Sequence, residues 1–469
     1  MGEAIGKAMG STVERPRCRT SRTILGLALA AVAAAMAGCA EGPSLPKLEN
    51  PFIKKDPPLS GKRIPIMEVT GGAANNLAPA DRPISLPAQQ ANEAWPQPGG
   101  VPNNSPGHLA LGATVKQVWS ADAGTGSSPG AKVTASPIIY DGRVYTLDAS
   151  ARVTAFAVTG GSSLWRVSLV PDSERKGASW FSLGGSPIGG YGGGMAADNG
   201  RLYVATGFGS MSALDPKTGK VLWTKTLGAP IRSSPTATAD RVFVNTTEGR
   251  VFALAGTDGN ELWSSRGLPE AASLIASPSP AVDGDVVVAP FSTGEVMALR
   301  LTTGETIWSE SLTRTRGTSA MASLSDAARP VIDNGTVFAV GHGGRMVAAM
   351  ARTGERLWSI NLTSTQAPWV AGDLVFVVDS AGQLQALNRR DGQTIWTIKL
   401  PDSNVWSGPT LAGGALWLVS SKGTLIGVDA PTGRVTSQQS IGNPSFIAPV
   451  VAGGRLFVLT DSAKLIAFN

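Results

Sequence analysis

The chain of 469 residues contains only two cysteines, Cys18 and Cys39, and two histidines, His108 and His342. So few thiols exclude a disulfide framework and a thiolate zinc site, and so few imidazoles exclude a histidine-rich metal centre. Charge is scarce as well: 16% of residues are Asp, Glu, Lys or Arg, against about 25% in an average soluble domain. That disfavours coiled coils and long solvent-facing helices. The excess positive charge is concentrated in Lys7, Arg15, Arg17, Arg19 and Arg22. No Lys/Arg cluster follows residue 40, so the basic patch that nucleic-acid binding needs is absent. What the chain has instead is glycine, 57 residues, and a hydrophobic fraction of 42%. Many short strands joined by Gly-containing turns fit this composition, and disorder of the whole chain does not.

The first 38 residues have the order of an export signal. Arg15, Arg17, Arg19 and Arg22 precede the uncharged apolar run 24–37, which leads into Met36-Ala37-Gly38-Cys39. The run is shorter than the ~20 residues that span a bilayer as a helix, and small residues close it as at a cleavage site. Residues 40–106 hold thirteen prolines. Proline lacks a ladder donor and stiffens an extended chain, so this stretch reads as a spacer. Within it Leu59–Val69 has the pattern of an added strand. The expected organisation is a signal at 1–38, Cys39 with a Pro-rich linker at 39–106, and a folded body at 107–469.

The body is repetitive. The phrases GGSSLW (160–165), TGKVLW (218–223), DGNELW (258–263), TGETIW (303–308), TGERLW (353–358) and DGQTIW (391–396) share one pattern. TGRVTS at 432–437 keeps the turn and loses the Trp, and VKQVW at 115–119 keeps the Trp and loses the turn. Successive anchors lie 38 to 58 residues apart, the spacing of four-stranded propeller blades. Between anchors comes a Pro, a short strand and an Asp/Gly turn, as in Ser136-Pro137 to Asp141-Gly142, then strands at Arg143–Leu147 and Arg152–Val158. Trp119, Trp165, Trp223, Trp263, Trp308, Trp358 and Trp396 are expected as structural anchors, each indole covering a neighbouring blade with its N–H on a backbone carbonyl. The last unit lacks a Trp strand and the first Trp strand lacks a blade. Pairing Val115–Ala121 onto the last blade resolves both and leaves few exposed edges. The expected fold is all-β, an eight-bladed propeller.

The phrase Ala213–Trp223 (ALDPKTGKVLW) resembles the PQQ-like propeller repeat, and the resemblance covers 115–469. Two branches share that repeat. Quinoprotein dehydrogenases would require a calcium ion, an Asp base and typically a vicinal disulfide, for which this chain has no cysteine pair. His342 reads as a turn residue and His108 as a linker residue. The second branch, the BamB lipoproteins, is non-enzymatic. Met36–Cys39 resembles a lipobox, which implies lipidation of Cys39 and, with Ala40 after it, the periplasmic face of the outer membrane. The stretch Arg316-Gly317-Thr318, Ser323-Leu324-Ser325-Asp326 and Pro330-Val331 resembles the loop that in this family touches BamA. Ala328 stands where a second acid is usual. In the preceding unit Leu274 matches one family leucine, whereas Ala272 and Ile275 depart from the pattern.

The resemblance therefore implies a scaffold without cofactor or metal, binding BamA and other subunits of the barrel-assembly (BAM) complex through Leu274, Leu324, Ser325 and Asp326. It also implies contact with unfolded β-barrel clients by strand addition. Loop length points to the same residues: from anchor Trp to the proline of the next strand, 263 to 280 and 308 to 330 are the long gaps on consecutive units, and long loops on a rigid scaffold carry binding. The insertion at 166–194 is longer still. A quinone-dependent dehydrogenase is the competing reading. A glycan- or peptidoglycan-binding propeller is another, for which Trp180, Trp369, Trp406 and Trp417 lie outside the anchor set, with Trp417 in a core-like strand run.

Overall fold

The computed structural model describes residues 84–112, 114–177, 192–267, 278–313 and 327–469. Cys39, Leu59–Val69, Trp180, Leu274, Leu324, Ser325 and Asp326 lie outside the described residues. The strands assemble into eight four-stranded antiparallel sheets, here blades 1 to 8 in chain order. Blade 1 shows the plan: an inner strand Ile138–Tyr140, then Arg143–Leu147, Arg152–Ala157 and an outer strand Ser163–Ser168. The inner strands of blades 2 to 8 begin at Gly193, Thr236, Ala281, Val331, Trp369, Trp406 and Val450. A six-residue helix, Asp172–Gly177, follows blade 1.

Sequence dictates these elements locally. In blade 1 Asp141 and Gly142 both have positive φ (49° and 68°), the type I′ geometry that matches strand twist in a two-residue hairpin and that Asp-Gly adopts readily. The two middle strands of a blade are buried on both faces and read as continuous apolar runs, such as Leu374–Val378. Outer strands alternate exposed and half-buried residues, which is the period-two pattern of a one-sided strand.

The core is a ring of layers between neighbouring blades. One cluster joins blades 1 and 2, others join 2 to 3, 3 to 4, 4 to 5 and 5 to 6, and a large one runs from blade 6 through 7 and 8 to blade 1. Closure uses both chain ends: Gln117–Asp122 pairs antiparallel with Lys464–Phe468, Trp119 opposite Ala467, as the repeat arithmetic predicts.

The anchor tryptophans stitch adjacent blades. Trp165 Nε1 donates to Pro216 O (3.1 Å) and Trp223 Nε1 to Gly256 O (3.0 Å) in the next blade. The same bond recurs from Trp263, Trp308, Trp358 and Trp396 to Leu301, Ala351, Arg389 and Ala430. Trp119 is the exception, with no partner for its buried N–H. Each ring lies flush on the turn glycine of the next blade. A Cβ at Gly304 would sit 2.5 Å from Trp263 Cε3, and at Gly161 2.5 Å from Trp119 Cε3. Under six of the seven indoles lies an aromatic of the same blade, such as Tyr145 beneath Trp165 at 5.8 Å; under Trp308 the place is held by Val288. Burial raises the Tyr145 and Tyr203 phenols, the latter to about 12, so both O–H groups stay protonated and donate to Pro216 O and Gly256 O.

The proline-rich segment behaves differently from a spacer along its second half. Instead of ending at 106, the tether gives way to packed chain from Ile84 onward. Trp95, Gln97, Asn104, His108 and Leu109 are all buried. From residue 92 to 109 this segment visits every blade in turn, forming a collar on the rim that carries the I′ hairpins. Asn92 meets blade 8, its carbonyl accepting from Gly453 N–H (2.7 Å). Trp95 O accepts from Ile139 N–H in blade 1 (3.0 Å) and Pro96 O from Ala197 N–H in blade 2 (2.7 Å). Gln97 Oε1 accepts from Ala237 N–H in blade 3 (3.1 Å). Pro102 O and Asn103 O accept from Val282 N–H and Ile332 N–H in blades 4 and 5 (2.8 and 2.9 Å). Gly107 O takes the Trp369 indole N–H in blade 6 (2.9 Å), and Leu109 exchanges bonds with Leu411 and Gly413 in blade 7. His108 pins the turn: Nδ1 donates to Pro87 O (2.7 Å) and Nε2 accepts Gly414 N–H (2.9 Å), the neutral tautomer.

The physical reason is an accounting of backbone donors. Each inner strand pairs with one neighbour only, and its other edge faces the propeller axis. Buried N–H groups there need partners. A proline-rich segment is suited to supply them, because its carbonyls remain free acceptors while it presents few N–H groups of its own.

Candidate functional site

The collar defines two unlike rims. On the collar rim the hairpins and turn glycines meet the N-terminal segment. On the opposite rim, here the loop rim, each outer strand ends and the chain passes to the next inner strand. The chain leaves blade 3 at Arg266 and re-enters blade 4 at Ala281; it leaves blade 4 at Ser311 and re-enters blade 5 at Val331. Both long connections singled out by sequence therefore start and finish on the loop rim, on adjacent blades. The third, between Ser168 and Gly193, does so between blades 1 and 2. The four residues expected to touch a partner, Leu274, Leu324, Ser325 and Asp326, belong to these connections, outside the described residues.

The chain just after them is firmly held. Ala327 and Ala328 are buried, with Ala328 N–H on Val340 O at 2.9 Å. Ala328, where the family resemblance leads one to expect an acid, is a buried position. His342 is an exposed turn residue between Thr336–Val340 and Arg345–Met350.

Between the loop rim and the collar lies an axial cavity of about 230 Å³. Its floor is Trp95, Pro98, Gly99 and Asn104 of the collar, and its wall is drawn from the residues that lead into the inner strands. Trp369 joins this wall and stacks on Trp95, ring centroids 6.4 Å apart and 20° from parallel. Among the described residues the one charged group in the lining is Arg329, and no carboxylate is present. Burial lowers the Arg329 guanidinium from its ordinary value to about 10, which leaves it a cation at neutral pH.

These residues do not suit a metal–quinone pair. Among the described residues no three His, Cys, Asp or Glu side chains gather as a metal site, and a calcium ion needs several oxygen ligands, usually carboxylates. Among the described residues the extra tryptophans do not make a glycan platform. Trp406 and Trp417 are buried, with their N–H groups on Ser403 O and Ala412 O. Trp369 is committed to the collar, and Trp180 lies outside the described residues.

A family model described as outer membrane protein assembly factor BamB matches residues 149–398 and 382–469. The chain belongs to the BamB family. A BamB of Burkholderia pseudomallei is 29% identical over 195 residues, 41% of this chain and 45% of that protein. An uncharacterised protein of Rickettsia prowazekii is 30% identical over 183 residues, 39% of this chain and 41% of that protein. The chain thus spans less than half the length of these curated relatives. Among solved structures, BamB from Moraxella catarrhalis superposes with a TM-score of 0.64 at 18% identity, covering 76% of this chain and 100% of that one. A quinohemoprotein alcohol dehydrogenase of Pseudomonas putida gives 0.62 at 14% identity, covering 82% and 83%. At such identities the BamB and dehydrogenase structures share a fold with this chain and nothing finer. No helix among the described residues is long and apolar enough to cross a membrane.

Collar and cavity were both missed by sequence reasoning. The collar's signal was the presence of Trp95, Gln97 and Asn104, side chains a mere spacer does not need. The cavity's signal was Arg329 at a position the other units fill with small residues.

Proposed function

We propose that this chain is a non-enzymatic scaffold lipoprotein of the outer-membrane β-barrel assembly machinery. It is anchored through acylated Cys39 at the periplasmic face and bound to the periplasmic domains of BamA through Leu274, Leu324, Ser325 and Asp326. The observation that carries this reading is the pair of long connections rising from one rim on adjacent blades of a BamB-family propeller. With the collar occupying one rim, the loop rim is the end left to a partner. A multiply acylated cysteine holds a protein at a bilayer firmly, whereas a single chain does so marginally. Clients add as strands: the outer strands present aliphatic residues such as Leu164, Leu222, Leu262 and Leu357 to solvent beside an edge that no described strand covers.

A mild-detergent pull-down of the lipidated protein tests the reading. Wild type is expected to retain an outer-membrane barrel with periplasmic domains, and Leu274→Arg with Asp326→Arg to lose it, since truncating or reversing central contact residues removes most binding energy. Retention by the double variant would show the surface to be wrong. Absence of the barrel from wild type would end the scaffold reading.

A further inference from the structure

One repeated position in the ring is filled in a way the scaffold role does not require. Just before the proline that opens the inner strand, blades 1, 3 and 4 carry Ser136, Ser234 and Ser279. Blades 6, 7 and 8 carry Ala367, Gly408 and Ala448, and blade 2, which lacks the proline, has Gly194. Blade 5 carries Arg329. The ring of these residues is tight: a Cβ on Gly194 would fall 2.0 Å from Ser234 Oγ. Arg329, the one long side chain at this position, lines the axial cavity.

The Arg329 side chain is half-buried. Its Nε is buried without a hydrogen-bond partner, and no carboxylate lines the cavity among the described residues. Trp95, 2% exposed, lines the floor of the same cavity, and its Nε1–H is buried without a partner. The rest of the wall includes Trp369, Ile447 and Val450. A cationic fork beside Trp95, Trp369, Ile447 and Val450, in a lining that is otherwise mixed polar and apolar, suits an anion with an apolar body.

We propose that the axial cavity binds a small aromatic or aliphatic monocarboxylate, its carboxylate on Arg329 and its body against Trp95 and Trp369. One guanidinium neutralises one negative charge, so a monocarboxylate is matched where a phosphate dianion is left half compensated. The cavity of about 230 Å³ is below the roughly 300 Å³ at which drug-sized ligands begin, which sets the ligand at the size of benzoate. The site is independent of the partner surface, and its failure would leave the scaffold reading untouched.

Benzoate is the probe, titrated into the mature chain with tryptophan fluorescence as readout, because Trp95 and Trp369 form the walls. Saturable quenching is expected with a dissociation constant in the millimolar range or tighter, as for a fragment of this size. Benzamide, the neutral shape-match, is expected to bind at least about tenfold more weakly. Arg329→Ser installs the residue that three other blades carry and is expected to remove benzoate binding by a similar factor, with Arg329→Lys intermediate. Equal binding of benzoate and benzamide, unchanged binding by Arg329→Ser, phosphate binding in preference to benzoate, or no saturable benzoate signal would each overturn the proposal. The benzoate–benzamide comparison needs wild type alone, so it stands even if a variant fails to fold.

Discussion

Trp95→Ala is expected to destabilise the protein by about 3–5 kcal/mol, the usual cost of deleting a buried indole from a core. The site offers little relief by collapse. Trp95 is 2% exposed, stacks on Trp369, and is tied at its backbone to both amide and carbonyl of Ile139. Its loss would enlarge an axial space that is already empty of protein atoms. The collar holds each blade through one to three bonds, so loosening it at blade 1 also weakens its grip on blades 2 and 8. Thermal or urea unfolding would measure the loss, and limited proteolysis would show new cleavage within 84–112. A change under about 1 kcal/mol, with the collar still protected, would show that the segment decorates the ring without supporting it.

The second large effect separates two costs that glycine substitutions usually mix. Gly304 and Gly335 share a φ of +73°, where an L side chain costs about 1–2 kcal/mol. A Cβ at Gly335 meets nothing within 4 Å, whereas at Gly304 it would sit 2.5 Å from Trp263 Cε3. Gly335→Ala is therefore expected to cost only the backbone strain. Gly304→Ala must also displace Trp263 from the blade interface and stretch its bond to Leu301 O, 2.9 Å as it stands, for a total of about 3–5 kcal/mol. Paired unfolding curves decide it. Equal losses would mean that the indole yields freely and that the Trp–Gly contact does not bind the blades together.

Much of this architecture is legible in the chain because it is repeated. The Trp and Gly of each unit recur at a blade's spacing, so their pairing across blades and the closure of Gln117–Asp122 onto Lys464–Phe468 follow from counting. The collar is made of single occurrences. Asn92 answers blade 8, Gln97 blades 2 and 3, and Asn103 blade 5, and nothing periodic marks them. Proline content, which reads as spacer, there supplies free carbonyls to inner-strand amides. Arg329 is intermediate. Its meaning is visible only once the seven small residues at the same position are aligned by the fold. The partner surface rests on Leu274, Leu324, Ser325 and Asp326, read from a family resemblance that is incomplete at Ala272, Ile275 and Ala328.

One rim is occupied by the protein's own N-terminal segment, and the other is proposed to meet the assembly machinery. Site-specific photo-crosslinking in cells tests it directly, with the reactive side chain placed either at Ser325 or at Asn334, an exposed hairpin residue on the collar rim. An adduct with an outer-membrane barrel bearing periplasmic domains is expected from position 325 and none from 334. An adduct from 334 with none from 325 would contradict it.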